Sequence, residues 1–134
     1  MPERKLKVGI VGCGGISRMY ADIYAGLSDV AQVVAMADLV PELVQARSAQ
    51  LTEGYRTEAH RNRASALGSA RPKDRDAFSQ RAQDAEAAAA TTIRIYRDHE
   101  ELLRDPEVEA MVLLTPPSIR GGPAIAAASA SCAR

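Results

Sequence analysis

Gly12, Gly14 and Gly15 stand together directly after a short apolar run, Val8, Ile10 and Val11, and Ser17 follows two residues later. Glycines so spaced leave the main chain bare. Gly12 permits a sharp turn where a Cβ would clash, and Gly14 lets a pyrophosphate lie against its backbone. A helical pattern begins at Ile16, so free N–H groups and the positive end of a helix dipole would meet the same anion. Ser17 occupies a position usually given to Gly or Ala for close helix–strand packing. It is small enough to fit, with its hydroxyl within reach of a phosphate oxygen. A second apolar run, QVVAMA, ends in Asp38, about 20 residues past the glycines. A carboxylate there accepts hydrogen bonds from both hydroxyls of a ribose and repels a 2′-phosphate. Leu39, Val40 and Pro41 offer no cation for such a phosphate, so the pattern favours NAD over NADP. A plainer reading of Asp38 is a helix N-cap ahead of Pro41.

These residues need a strand before the glycines and a helix after them. Lys5 to Val11 reads as a strand buried on both faces. Gly15 to Leu27 reads as a helix, with Ile16, Met19, Tyr20, Ile23 and Leu27 near one side and packed on the sheet. Val30 to Ala37 is the next strand. Pro41 opens a second helix, with Leu43, Val44, Arg47 and Leu51 turned to the sheet. Thr92 to Tyr96 is a third strand, Asp98 caps a short helix over His99 to Arg104, and Val108 to Thr115 is a fourth strand ended by Pro116 and Pro117. The fold class expected is α/β, a partial doubly wound parallel sheet of about four strands. In such a sheet ligands bind beyond the carboxyl ends of the strands, where strand order reverses. Gly12 to Ser17 and Thr115 to Pro117 should therefore border one crevice.

Composition agrees with one globular domain over residues 1–134: 46% of the residues are hydrophobic and the formal net charge is zero. A neutral balance gives no reason to expect nucleic acid or an anionic membrane as partner. No apolar stretch approaches a membrane span and no convincing signal peptide opens the chain, so a cytoplasmic location is the default expectation. Cys13 and Cys132 form no metal-ligand spacing. Cys13 reads as a small residue of the turn, and His60 and His99 as exposed. No metal site and no catalytic residue can be named.

Residues 52–90 differ in character. Arginines alternate with acids, large apolar residues nearly vanish, and Gly68, Ser69 and Pro72 break the stretch in the middle. It reads as an insertion of two weakly anchored helical arms, solvated and partly disordered, or else as a contact for a partner or a second copy. At the other end, Gly121-Gly122-Pro123 looks hostile to the helix that should cover the fourth strand. Four strands would leave apolar surface open to oligomer formation.

Three blocks together resemble the Gfo/Idh/MocA oxidoreductases: KVGIVGCGGISRMY, the strand ending in Ala37-Asp38, and YRDHEELLRDPEVEAMVLLTPPS from Tyr96 to Ser118. The resemblance implies an N-terminal Rossmann domain in which Gly12, Gly14, Gly15, Ile16 and Ser17 hold the pyrophosphate of a nicotinamide dinucleotide. Asp38 would hold the adenosine ribose, and Thr115, Pro116 and Pro117 would border the cofactor. It further implies hydride exchange between NAD(P) and a hydroxyl carbon of a sugar, polyol or related compound. The family's Glu-Lys-Pro motif and substrate domain have no counterpart here, so little turnover is expected from this chain alone. The alternative is a non-catalytic nucleotide-binding or partner-docking module.

Overall fold

β1 (Leu6–Val11) sits inside the sheet because both of its faces are apolar: Val8, Ile10 and Val11 are all buried. The computed structural model, which describes residues 4–115 and 121–133, pairs it in parallel with β2 (Ala31–Ala37) on one side and β4 (Ala110–Leu113) on the other. β3 (Arg94–Tyr96) lies outside β2, also parallel. The order is β3-β2-β1-β4, so the strand sequence reverses between β1 and β4. The fold is a four-stranded, Rossmann-like α/β sheet with helices on both faces, as the apolar runs predicted.

Each face has its own core. On one, Val8, Ile10, Val33 and Met36 meet α1 (Ser17–Ala25), α2 (Pro41–Gly68) and α3 (Pro72–Ala90) through Ala21, Val44, Leu51, Tyr55 and Ala88. On the other, Val11, Val34, Ala35 and Ala37 meet Leu102 of α4 (His99–Leu103) and Val108. Leu102 seats where β1 has no side chain. A Cβ on Gly9 would stand 2.8 Å from the Leu102 Cδ2 atom.

β2 changes face through an irregularity. Val8 pairs with Val33 and Gly9 with Ala35, so the ladder skips Val34. The Val33 N–H instead donates to the Tyr55 hydroxyl at 3.2 Å. A buried N–H without an acceptor is costly, and Tyr55, itself fully buried on α2, supplies that acceptor.

Four expectations change. α1 packs only partly through the expected large residues: Tyr20 lies against the core with Tyr24, and Ser17, Ala21 and Ala25 are buried, while Ile16, Met19 and Ile23 are about half exposed. Small side chains let the helix approach the sheet and α2 closely, which turns the bulky line outward. Thr52 marks no boundary, since α2 is continuous from Pro41 to Gly68. Nor are the arms weakly anchored. α2 and α3 pack on each other through Ala59, Ala66, Ala82 and Ala85, and alanine buries on a close helix pair without bulk. Finally, α5 (Gly121–Ala133) is helical through the Gly-Gly-Pro start. Those residues fall in the first turn, where no N–H is needed for the ladder, and the alanines beyond favour helix. Among the described residues, no helix is long and apolar enough to cross a membrane.

Candidate functional site

The segments that leave the four strands converge on a cavity of about 760 Å³. That volume lies in the range of small-molecule and cofactor sites, roughly 300–1,000 Å³. Gly12, Gly14, Gly15 and Ile16 come to it from β1, and Asp38, Leu39 and Val40 from β2. Arg97, Asp98 and His99 come from β3, and Leu114 and Thr115 from β4, with Pro123 of α5 beside them. The crevice expected between the first and fourth strands is there.

Gly12 makes the turn. Its φ is +98°, and a Cβ would stand 2.8 Å from the Leu114 carbonyl carbon and 2.9 Å from the Thr115 nitrogen. It is locked in place by its own N–H donating to the Ala37 carbonyl at 2.9 Å, while the Leu114 N–H donates to the Val11 carbonyl at 2.8 Å. Gly14 and Gly15 are different, because a Cβ on either would meet no protein atom within 4 Å. Their backbone faces open space. Among the described residues none accepts from the N–H groups of Gly14, Gly15 or Ile16, which lie immediately before α1. The first turn of α1 carries no acid of its own to offset its dipole. The arrangement is a cradle of free donors at a helix start, and its chemistry suits a phosphate.

Ser17 departs from expectation. It is fully buried, and its hydroxyl donates to the Gly14 carbonyl rather than facing the cavity. It braces the turn from behind. Asp38 sits at the cavity wall, with Oδ2 accepting from the Cys13 N–H at 2.7 Å and Oδ1 from the Val40 N–H at 2.8 Å. The N-cap reading does not hold: the N-cap of α2 is Val40, with no side-chain cap, and Asp38 stands two residues earlier, closing a turn onto the Val40 N–H. Asp38 ties the approach to α2 to the glycine turn, and each oxygen keeps capacity for a further hydrogen bond. Thr115 lines the cavity; Pro116 and Pro117 lie outside the described residues.

Cys13 is no nucleophile. Its thiol is pushed up to about 12 by burial and by the Asp38 charge, with Arg47 pulling the other way. Sγ stays protonated and points to the Ala37 carbonyl. Arg47 is itself buried on α2, where it donates to Gln50. Gln50 in turn donates to the Arg18 carbonyl at 3.1 Å and to Asp22 at 3.0 Å. This chain of bonds fixes α2 against the start of α1.

His60 is exposed, as expected, whereas His99 is half-buried and borders the cavity. Leu39, Val40, Arg97, Asp98, His99 and Pro123 were not named as site residues from the sequence. The signal existed for all but Pro123, since in a parallel sheet the segment after every strand reaches the same edge. Two other cavities hold less promise. One of about 500 Å³ is bordered by Arg94, Asp105 and Glu107, which pair with one another. One of about 370 Å³ on the α2–α3 hairpin holds the Arg63–Glu86 pair. No cluster of three metal-ligating side chains occurs among the described residues.

Among solved structures, this chain is similar to myo-inositol dehydrogenase from Lactobacillus casei, determined in complex with NAD(H) and myo-inositol. The two superpose with a TM-score of 0.61 over 94% of this chain, at 18% identity. The shared feature is the fold. This chain spans 26% of that protein's length. No family model matches the sequence, and no curated protein matches it.

Proposed function

We propose that this chain binds a nicotinamide dinucleotide, NAD in preference to NADP, in the cavity at the carboxyl edge of its sheet. The observation that carries the reading is the row of N–H groups on Gly14, Gly15 and Ile16 with no acceptor among the described residues, beside two glycines on which a Cβ would meet no described atom within 4 Å. They would hold the diphosphate. Asp38 would hold the adenosine ribose through the lone pairs that Cys13 and Val40 leave, and its charge disfavours a 2′-phosphate. Thr115, with Pro116 and Pro117 beyond it, would border the nicotinamide side. When bound, the nicotinamide supplies hydride exchange. The chain's own residues bind and orient it and keep the diphosphate on the helix axis.

The wider proposal is an oxidoreductase domain acting with a sugar, polyol or related hydroxyl compound as the second substrate. The three sequence blocks support it. So does the shared fold of a dehydrogenase whose structure holds NAD(H) and myo-inositol.

Calorimetric titration of the purified chain with NADH tests the reading, with Asp38→Ala alongside. Binding in the micromolar range by the parent chain, weakened about tenfold or more in the variant, is expected from loss of a charge-assisted ribose contact. Equal affinity in the two proteins would remove Asp38 from the site, and no binding to either would refute the assignment.

A further inference from the structure

The sequence offers no cation next to Asp38, because only Leu39, Val40 and Pro41 follow it. The fold brings one from another strand. The Asp38 N–H donates to the Tyr96 carbonyl at 3.4 Å, so the chain that leads into Arg97 runs against Asp38, and both residues border the same cavity. Arg97 is engaged by Glu101 of α4. Its Nε and Nη2 both approach the single oxygen Oε1, at 3.1 Å each, and its backbone N–H donates to Oε2 at 3.3 Å. Glu101 is held in turn, its N–H donating to the Asp98 carboxylate at 2.9 Å.

We propose that Arg97 is a second determinant of cofactor selectivity, kept from the ribose 2′ position by Glu101. This inference rests on the dinucleotide reading above. Two physical arguments support it. First, the pair is weak, because the Arg97 side chain is 84% exposed and an exposed ion pair contributes little. Two donors crowded onto one oxygen also forgo the paired geometry that a planar guanidinium prefers. A phosphate dianion, with three oxygens, is the better partner. Second, the charges around the ribose end balance against NADP only while Glu101 is in place. Asp38 repels a 2′-phosphate and Glu101 neutralises Arg97, the arginine among the described residues that borders the cavity. NAD preference is thus set by two acids from different elements, Asp38 after β2 acting on the ligand and Glu101 of α4 acting on Arg97.

The test uses the full chain and measures dissociation constants for NADH and NADPH. The proteins are the parent, Asp38→Ser, Asp38→Ser with Glu101→Gln, and Asp38→Ser with Arg97→Gln; Ser keeps an oxygen for the Cys13 and Val40 N–H groups. The parent should bind NADH more tightly than NADPH, and Asp38→Ser should narrow the gap. Adding Glu101→Gln should tighten NADPH by a further fivefold or so, the scale of one charge-assisted contact, while NADH moves less than twofold. Adding Arg97→Gln instead should weaken NADPH relative to Asp38→Ser and leave NADH unmoved. If NADPH affinity ignores both second substitutions while NADH still binds, the role of Arg97 is overturned and the cofactor reading stands. If the parent binds neither dinucleotide, both fall. Circular dichroism melts of all four proteins ensure that lost binding is not lost folding.

Discussion

The glycine edge of the sheet and the α2–α3 hairpin are built on opposite plans. At the edge, shape comes from what is missing. Gly12 fits only because no Cβ stands between the ends of β1 and β4, and Gly14 and Gly15 leave their amides bare. Polar groups behind that surface are tied down: Ser17 to Gly14, Cys13 to Asp38, Gly12 to Ala37. In the hairpin, shape comes from repetition. Alanines close the seam, and exposed pairs such as Arg56–Glu53, Arg61–Glu58 and Arg63–Glu86 decorate the outside. The first plan tolerates few substitutions and leaves bare backbone at the edge of a cavity. The second tolerates many and specifies only that two helices meet.

The largest effect should come from Gly12→Ala. A positive φ is unfavourable for alanine, and the new methyl would press on backbone that cannot swing away, so stability should fall by about 3 kcal/mol. Urea denaturation measures it, and a loss below about 1 kcal/mol would mean that the turn relaxes freely. Asp105 lies on neither region, under α4, and sharpens the contrast by showing what a side-chain network does. Burial works to raise its carboxyl, but hydrogen bonds from Arg94, the Glu107 N–H and Tyr96 outweigh this and hold it below the usual carboxylate range. A depressed folded value means that its stabilisation is present above the unfolded value, about pH 4, and is lost as pH falls through the folded one. Asp105→Asn should therefore cost about 2 kcal/mol at pH 7, and the gap to the parent should close below about pH 4.

Tyr55→Phe comes next. Removing the acceptor of the Val33 N–H inside the core should cost about 1–2 kcal/mol, although Tyr55 belongs to the helix that carries the hairpin. A negligible cost would show that the root of α2 behaves like its tip. Arg63→Ala should be the smallest, within about 0.5 kcal/mol, because its pair with Glu86 is half exposed on both sides. A larger loss would contradict the claim that the outer hairpin is tolerant.

The sequence made the glycine edge readable because its physics is local. A turn residue, a bare amide and a helix start are decided within Val11 to Ser17. The strands were legible for the same reason, as continuous apolar runs. What stayed hidden depends on neighbours. The outward turn of Met19 and Ile23 follows from how closely Ala21 and Ala25 let α1 approach. The order in the hairpin follows from alanines meeting alanines across two helices, which neither helix announces alone. Arg97 and His99 reach the cavity only because β3 lies beside β2. Ser17 was read as facing a ligand, yet its hydroxyl closes onto a carbonyl three residues back.

If the amides before α1 hold a diphosphate, as proposed, backbone amide chemical shifts report on it directly. On titration of ¹⁵N-labelled chain with NADH, large, saturable shifts are expected at Gly14, Gly15 and Ile16. Smaller ones should appear at Asp38 and Thr115, and none along residues 58–88. Shifts concentrated on the α2–α3 hairpin or around Arg94 and Arg104, with the glycine amides unmoved at saturation, would contradict it.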